Sequence, residues 1–490
     1  MINRKDTDKM KNKGGIIAVI VLLCVIVGGI FFYWNKKESS VESAEKYIAQ
    51  ADFDAARTVL SKATNNNPKD SKAYSYLAYC NIENEEYEKA LENSKKAIEL
   101  NKENYLAYGV KTIADRNLGK KEDIKSDFNE AIKLKPESRL DYLFLGDLYR
   151  YEDKNKEAMD NYNKALEKDK NLIGAYIGRG TVYKYDKKYN KSLEDLNKAI
   201  ELNPKYKGGY GERGWVYKEQ LKYNEALEDF KKSIDLKPKY IYGLIGRGWV
   251  YNELGKYDEA IKDFDNVISL NEKIDDSYVG KGIAYYNQNK NKEAIDNFNK
   301  AIKLSPNNPD NYVVLGNLYR SERKYNDALN NFNKAIDIND KYFDAYVGRG
   351  YVYREEGKYN EALKDFDKAL EFNLTLYDSY TGKGWVYQDQ RKYDKSLENF
   401  DKALKLNSKY VYAINGKGWT YYYSKKYKEA IEEFNKSIKF NDKNSNSYTG
   451  RGLAYLELKD KDKATKDFNK AISINPEDKI AKEGLKRVKS

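Results

Sequence analysis

The chain has 490 residues, 34% of them charged and 14% aromatic, with 47 Tyr, seven Pro and no His. Without His, the commonest general base and metal ligand are missing, together with every Ser–His or Cys–His arrangement, so neither an enzyme nor a cofactor is expected. The net charge of +12 comes from acids and bases interleaved along the chain. That pattern describes solvated helix faces and speaks against nucleic acid.

Residues 1–15 form a short basic tail carrying Arg4, Lys5, Lys9, Lys11 and Lys13. Ile16 to Trp34 is free of charge, and as a helix it would reach about 28 Å, close to a bilayer core. Tyr33 and Trp34 stand at its end as interfacial anchors, followed by Lys36 and Lys37. A cleaved signal peptide would carry a shorter apolar run and a small-residue site; Val27-Gly28-Gly29 is a poor version, and Ile30-Phe31-Phe32 continues past it. Residues 16–34 are therefore expected to be an uncleaved transmembrane anchor. Only Lys36, Lys37 and Lys46 follow it over a comparable distance, which favours a cytoplasmic N-terminus and an extracytoplasmic remainder. Cys24 in this run and the distant Cys80 make no disulfide framework.

From Lys37 to Asp478 the sequence repeats every 34 residues without insertion or deletion. The thirteen units start at Lys37, Ser71, Tyr105, Arg139, Ile173, Lys207, Ile241, Asp275, Pro309, Phe343, Tyr377, Val411 and Ser445. Counting from these starts, apolar or long side chains recur at positions 4, 7, 8 and 11, and again at 17, 20, 21, 24, 27 and 28. Each set is one helical stripe. Gly255 and Gly357 fall between the stripes, where a left-handed helix cap is expected. Six of the seven Pro occupy position 32, after the second helix. Residues 479–490 carry Ile480, Leu485 and Val488 among charges and read as a polar capping helix.

Gly at position 8, Ala at position 20 (Ala226, Ala260) and Phe at position 24 (Phe230, Phe264) complete a pattern that resembles the tetratricopeptide repeat. Positions 4 and 7 depart from it, with Tyr for Trp and Arg or Lys for Leu. Units one to three are degenerate, with Ala44, Ala78 and Thr112 at the Gly position. The resemblance implies an all-α, right-handed superhelical solenoid of antiparallel helix pairs, here preceded by one transmembrane helix. It also implies that positions 2, 5, 6, 9, 12 and 13 of the first helices project into a concave groove.

On that implied face, Trp215, Trp249, Trp385 and Trp419 all fall at position 9, with Tyr351 equivalent. They are candidate partner contacts, or else they pack between neighbouring first helices. Position 12 carries Arg150, Lys184, Lys218, Arg320 and Arg354, and position 13 carries Tyr151, Tyr185 and Tyr423. Gly at position 6 either opens room for a ligand or relieves crowding beside position 9. The expected function is a non-catalytic scaffold binding protein or peptide partners at a membrane surface. The alternative is a receptor for an envelope glycan or anionic polymer. Family members that clamp a chaperone's C-terminal carboxylate begin that clamp with Lys at position 5 and Asn at position 9. Position 5 here is Val313, Val347, Thr381 or Asn415 and never Lys, with Asn317 alone matching at 9, so chaperone-tail binding is disfavoured.

Overall fold

The computed structural model describes residues 41–120, 124–133 and 135–489. The predicted tail and membrane span lie outside these residues. Among the described residues no strand occurs, and no helix is long and apolar enough to cross a membrane. The helices follow the sequence register closely. First helices occupy positions 1–13, as in Ser71–Glu83, Ile173–Tyr185 and Tyr377–Asp389, and second helices positions 17–30, as in Tyr87–Leu100, Tyr189–Leu202 and Tyr393–Leu406. In the third pair the described part of the second helix is Ile124–Ala131, which ends three residues before position 30. Lys479–Lys489 is one further helix, and its Ala481 is fully buried.

The chain divides into two compact units, Met1–Leu254 and Gly255–Ser490. Each is a stack of helix pairs held by the same interlock. Phe230, Phe366 and Phe400, at position 24, are fully buried. A Cβ at Gly214 (position 8, same repeat) would sit 2.9 Å from the Phe230 ring, and one at Gly246 (position 6, next repeat) only 2.3 Å from it. In the second unit, Gly350 and Gly382 flank Phe366 in the same way, at 3.0 and 2.3 Å. Position 6 is thus glycine because the preceding repeat's ring fills that space. The expectation that it opens room for a ligand, or relieves position 9, is corrected on this point. Gly484 keeps the register in the last helix, meeting Phe468 at 2.4 Å.

Gly255 and Gly357 end their first helices at positive φ, as expected. The same position 15 is left-handed at Leu221, Arg323, Arg391 and Lys425 too, where a side chain makes that conformation costly. At the end of most second helices Asn takes the cap, with Asp169, Lys237 and Ser305 as exceptions. The Asn203 amide bonds Ala199 O, and its side chain accepts from Lys205 N at 2.9 Å, closing the turn that carries position 32.

Arg at position 7 does more than lend its alkyl stem to the stripe. Arg213 makes a bidentate pair with Asp229 at 2.8 and 2.7 Å, and its third nitrogen donates to Asn197 of the preceding repeat at 2.7 Å. Arg179, Arg349 and Arg451 repeat this with Asp195, Asp365 and Asp467. Where position 7 is Lys, Lys111 keeps the Asp127 of its own repeat, but in the second unit the partner moves. Lys281, Lys383 and Lys417 reach Asp265, Asp367 and Asp401, the residues that stand where the Arg repeats have Asn. A forked guanidinium holds one carboxylate bidentately and a further acceptor at a fixed angle, which a point ammonium cannot do, so in the second unit the partner residues change with the cation.

Candidate groove on the first helices

In the second unit, positions 2, 5, 6, 9, 12 and 13 of consecutive first helices converge on one hollow of about 540 Å³. Its wall at the helix starts is Asp310, Asp344 and Asp378, at position 2. Val313, Val347 and Thr381 (position 5) and Asn317, Tyr351 and Trp385 (position 9) make its floor. Arg320 and Arg354 (position 12), with Glu355, make the opposite wall. Tyr342 and Tyr410, the last residues of their repeats, close the acidic side. Their hydroxyls donate to Asp310 and Asp378 respectively. The Asp344 carboxyl is pushed above the ordinary carboxylate range, first by partial desolvation in the hollow and then by Asp310 and Asp378 beside it.

Four of the candidate residues meet here: Arg320, Tyr351, Arg354 and Trp385. The Arg at position 12 of one repeat covers the position-9 ring of the next. Arg320 lies 5.1 Å from the Tyr351 ring centre and Arg354 5.4 Å from that of Trp385. Arg354 is also bidentate to Asp389, at 2.7 and 3.3 Å, and Arg320 faces Glu355 at 4.0 Å.

The position-9 rings pack against the core, and two of them also line the hollow. Each rests edge-on against the position-24 Phe of its own repeat: Trp215 on Phe230 at 5.7 Å, Tyr351 on Phe366 at 5.1 Å, Trp385 on Phe400 at 5.3 Å and Trp419 on Phe434 at 5.6 Å. The rest of Tyr351 and Trp385 faces the hollow. Trp419 goes to the interior instead. It is 6% exposed, covered by Tyr422 and Tyr423, and its indole N–H donates to Asn446. Tyr423 remains half-exposed outside that ring. Trp249 is partly buried in the first unit.

The first unit has its own hollow, of about 330 Å³, on the equivalent face. Arg150, Tyr151 and Tyr185 line it. Lys184, Lys218 and Trp215 lie outside it, Lys184 paired with Glu212 at 2.8 Å and Lys218 lying over the Trp215 ring. This hollow is crossed by contacts from distant repeats. Tyr206 donates to Glu83 at 3.0 Å, Lys207 to the Glu83 carbonyl at 3.4 Å, and Lys237 to the Asn84 carbonyl at 3.3 Å. Glu85 accepts from the amides of Ile241 and Tyr242, both at 3.4 Å, and so caps the helix Ile241–Glu253 from the far side. Behind them, Asp147 accepts from Tyr79 and Tyr162 at 2.9 and 2.8 Å, with Arg150 in line behind Tyr162. Burial and the nearby Asp147 push Glu83 up to about 7, with Lys207 opposing.

Family models described as tetratricopeptide repeat match residues 42–101, 142–171, 174–206, 208–240, 241–274, 343–375, 377–410, 411–444 and 445–478. A TPR repeat model matches 282–321 and 316–355. The chain is built from tetratricopeptide repeats. Several matched segments begin on the helix starts at Ile241, Phe343, Tyr377, Val411 and Ser445. No curated protein matches the chain. Among solved structures, the crystal structure of the APC/C hetero-tetramer Cut9-Hcn1 is similar at 15% identity and a TM-score of 0.49, covering 91% of this chain and 95% of that one.

The residues that close the second hollow, Tyr342 and Tyr410 at position 34, were not among the sequence candidates. Their signal was present, because Tyr206 and Tyr240 occupy the same position in the first unit.

Proposed function

We propose that this tetratricopeptide-repeat protein is a non-catalytic scaffold of thirteen repeats that receives an extended segment of a protein partner in the hollow of its second unit. Residues 16–34 hold it to a membrane with the repeats on the extracytoplasmic side. The observation that carries the reading is the hollow itself, lined throughout by groove positions and by the repeat-closing tyrosines, with Tyr351 and Trp385 in its floor. Aromatic rings fixed from behind by Phe366 and Phe400 offer contact area at little entropic cost. The anchor rests on the charge-free run and its flanking lysines, and the orientation on the excess of basic residues before it.

An envelope glycan or an anionic polymer has less to hold. The ring faces it would stack on are covered by Arg320 and Arg354, and Arg354 is already engaged by Asp389. A photo-crosslinking residue placed at Val347 in intact cells tests the reading. Crosslinks to a protein are expected from Val347 and not from the exposed second-helix position Lys364; equal yields, or saccharide adducts alone, would overturn it. Protease added to intact cells should digest the repeats, and full protection would reverse the orientation.

A further inference from the structure

We propose that the segment received by the second unit is cationic: an extended stretch of partner whose Lys or Arg side chains lie along the row Asp310, Asp344 and Asp378. The inference rests on the scaffold reading and gives it a ligand class.

The three carboxylates occupy position 2 of consecutive repeats, so they recur at the repeat's own interval along one wall of the hollow. None makes an ion pair among the described residues. Tyr342 and Tyr410 steady Asp310 and Asp378 through one oxygen each and leave the other oxygen open, while Asp344 has no such donor. Across the hollow the cations are already answered, Arg354 by Asp389 and Arg320 by Glu355. The uncompensated charge of the cavity is therefore negative, although the whole chain is +12. The carboxyl of Asp344 is raised first by partial burial and then by Asp310 and Asp378, with no cation opposing them.

The floor suits the same ligand. Val313 and Val347 offer apolar surface for the methylene stems of Lys or Arg beside the acidic wall. An extended chain sends alternate side chains to opposite sides, so every second residue would meet the Asp row. The row belongs to the second unit: among the described residues, position 2 in the first unit holds Lys72, Leu106, Leu140, Gly174, Gly208 and Tyr242.

Fluorescence anisotropy with the full chain in detergent tests this, using a labelled Gly-Lys dodecapeptide and its Gly-Glu counterpart as probes. The Lys peptide should bind more tightly. Asp310→Asn, Asp344→Asn and Asp378→Asn together should weaken it by about tenfold or more at low salt. The control triple Asp265→Asn, Asp367→Asn and Asp401→Asn changes the net charge equally but at acids that already hold Lys281, Lys383 and Lys417, and should leave binding nearly unchanged. Helical circular dichroism shows that both triples fold. Equal weakening by the two triples, or preference for the Glu peptide, overturns the inference. If the Glu peptide binds and Trp385→Ala releases it, the groove reading survives and only the charge assignment falls. If neither peptide binds and Val347 crosslinks no protein, both fall.

Discussion

The two units build hollows on the same face of the same repeat and then use them differently, and the difference traces to position 2. In the second unit Asp310 and Asp378 stand there, and the closing tyrosines Tyr342 and Tyr410 bond them locally. In the first unit position 2 is Gly174 and Gly208. With no acid at position 2 of its own repeat, Tyr206 reaches Glu83, 123 residues away. The first hollow is thereby satisfied from within the protein, its buried charges answering one another. The second keeps a row of acids that form no ion pair among the described residues. A repeat framework can thus stay constant while a single groove position decides whether a cavity closes on itself or stays available.

The shared framework and the divergent hollows make separate demands on stability. Since the framework is shared, Phe230→Ala and Phe400→Ala should each cost about 3–5 kcal/mol in urea unfolding followed by circular dichroism. A large loss at one and none at the other would show that the units do not share their packing. Gly246→Leu and Gly382→Leu drive a side chain into the preceding Phe and should each cost about 1–3 kcal/mol, in the same assay. Leu221→Gly relieves a left-handed residue that is 71% exposed, and should raise stability by about 1 kcal/mol. A loss there would mean that the Leu221 side chain contributes packing.

The remaining prediction separates the units by pH. Glu83 holds its proton more tightly in the folded state than in the unfolded one. Folding therefore takes up a proton between the ordinary carboxylate range and about 7, and stability falls as pH rises through that window. In a Cys24→Ser background, the urea midpoint for labelling the buried Cys80 should be higher at pH 5 than at pH 8, and Glu83→Gln should flatten the difference. An unchanged slope in that variant would move the effect elsewhere in the network.

The helix pairs were legible in the sequence because period, Gly, Ala, Phe and Pro all point to one register, and the helices begin on it. The groove positions were legible only through the family resemblance, and the resemblance cannot say which of them meet. Trp385 and Trp419 look equivalent in sequence. Trp419 is buried because Tyr422 and Tyr423 of its own repeat and Asn446 of the next surround it, a combination that no other position-9 Trp meets. Gly at position 6 was misread because its reason lies in the preceding repeat, 16 residues before it, as Phe230 lies before Gly246. The Arg213–Asp229 pairs were open to discovery in the sequence, since in the Lys281 and Lys383 repeats Asn297 and Asn399 replace that Asp while Asp265 and Asp367 replace the preceding Asn. The contacts of Glu83 and Glu85 were not, because no periodic pattern announces a meeting across more than 120 residues.

The central claim is that the second hollow, and not the first, receives the partner. Photo-crosslinking from two equivalent position-5 residues in the same cells tests it most directly: Val347 in the second hollow and Ile177 in the first. Partner adducts from Val347 with none from Ile177 are predicted. Adducts from Ile177 with none from Val347 would contradict the account.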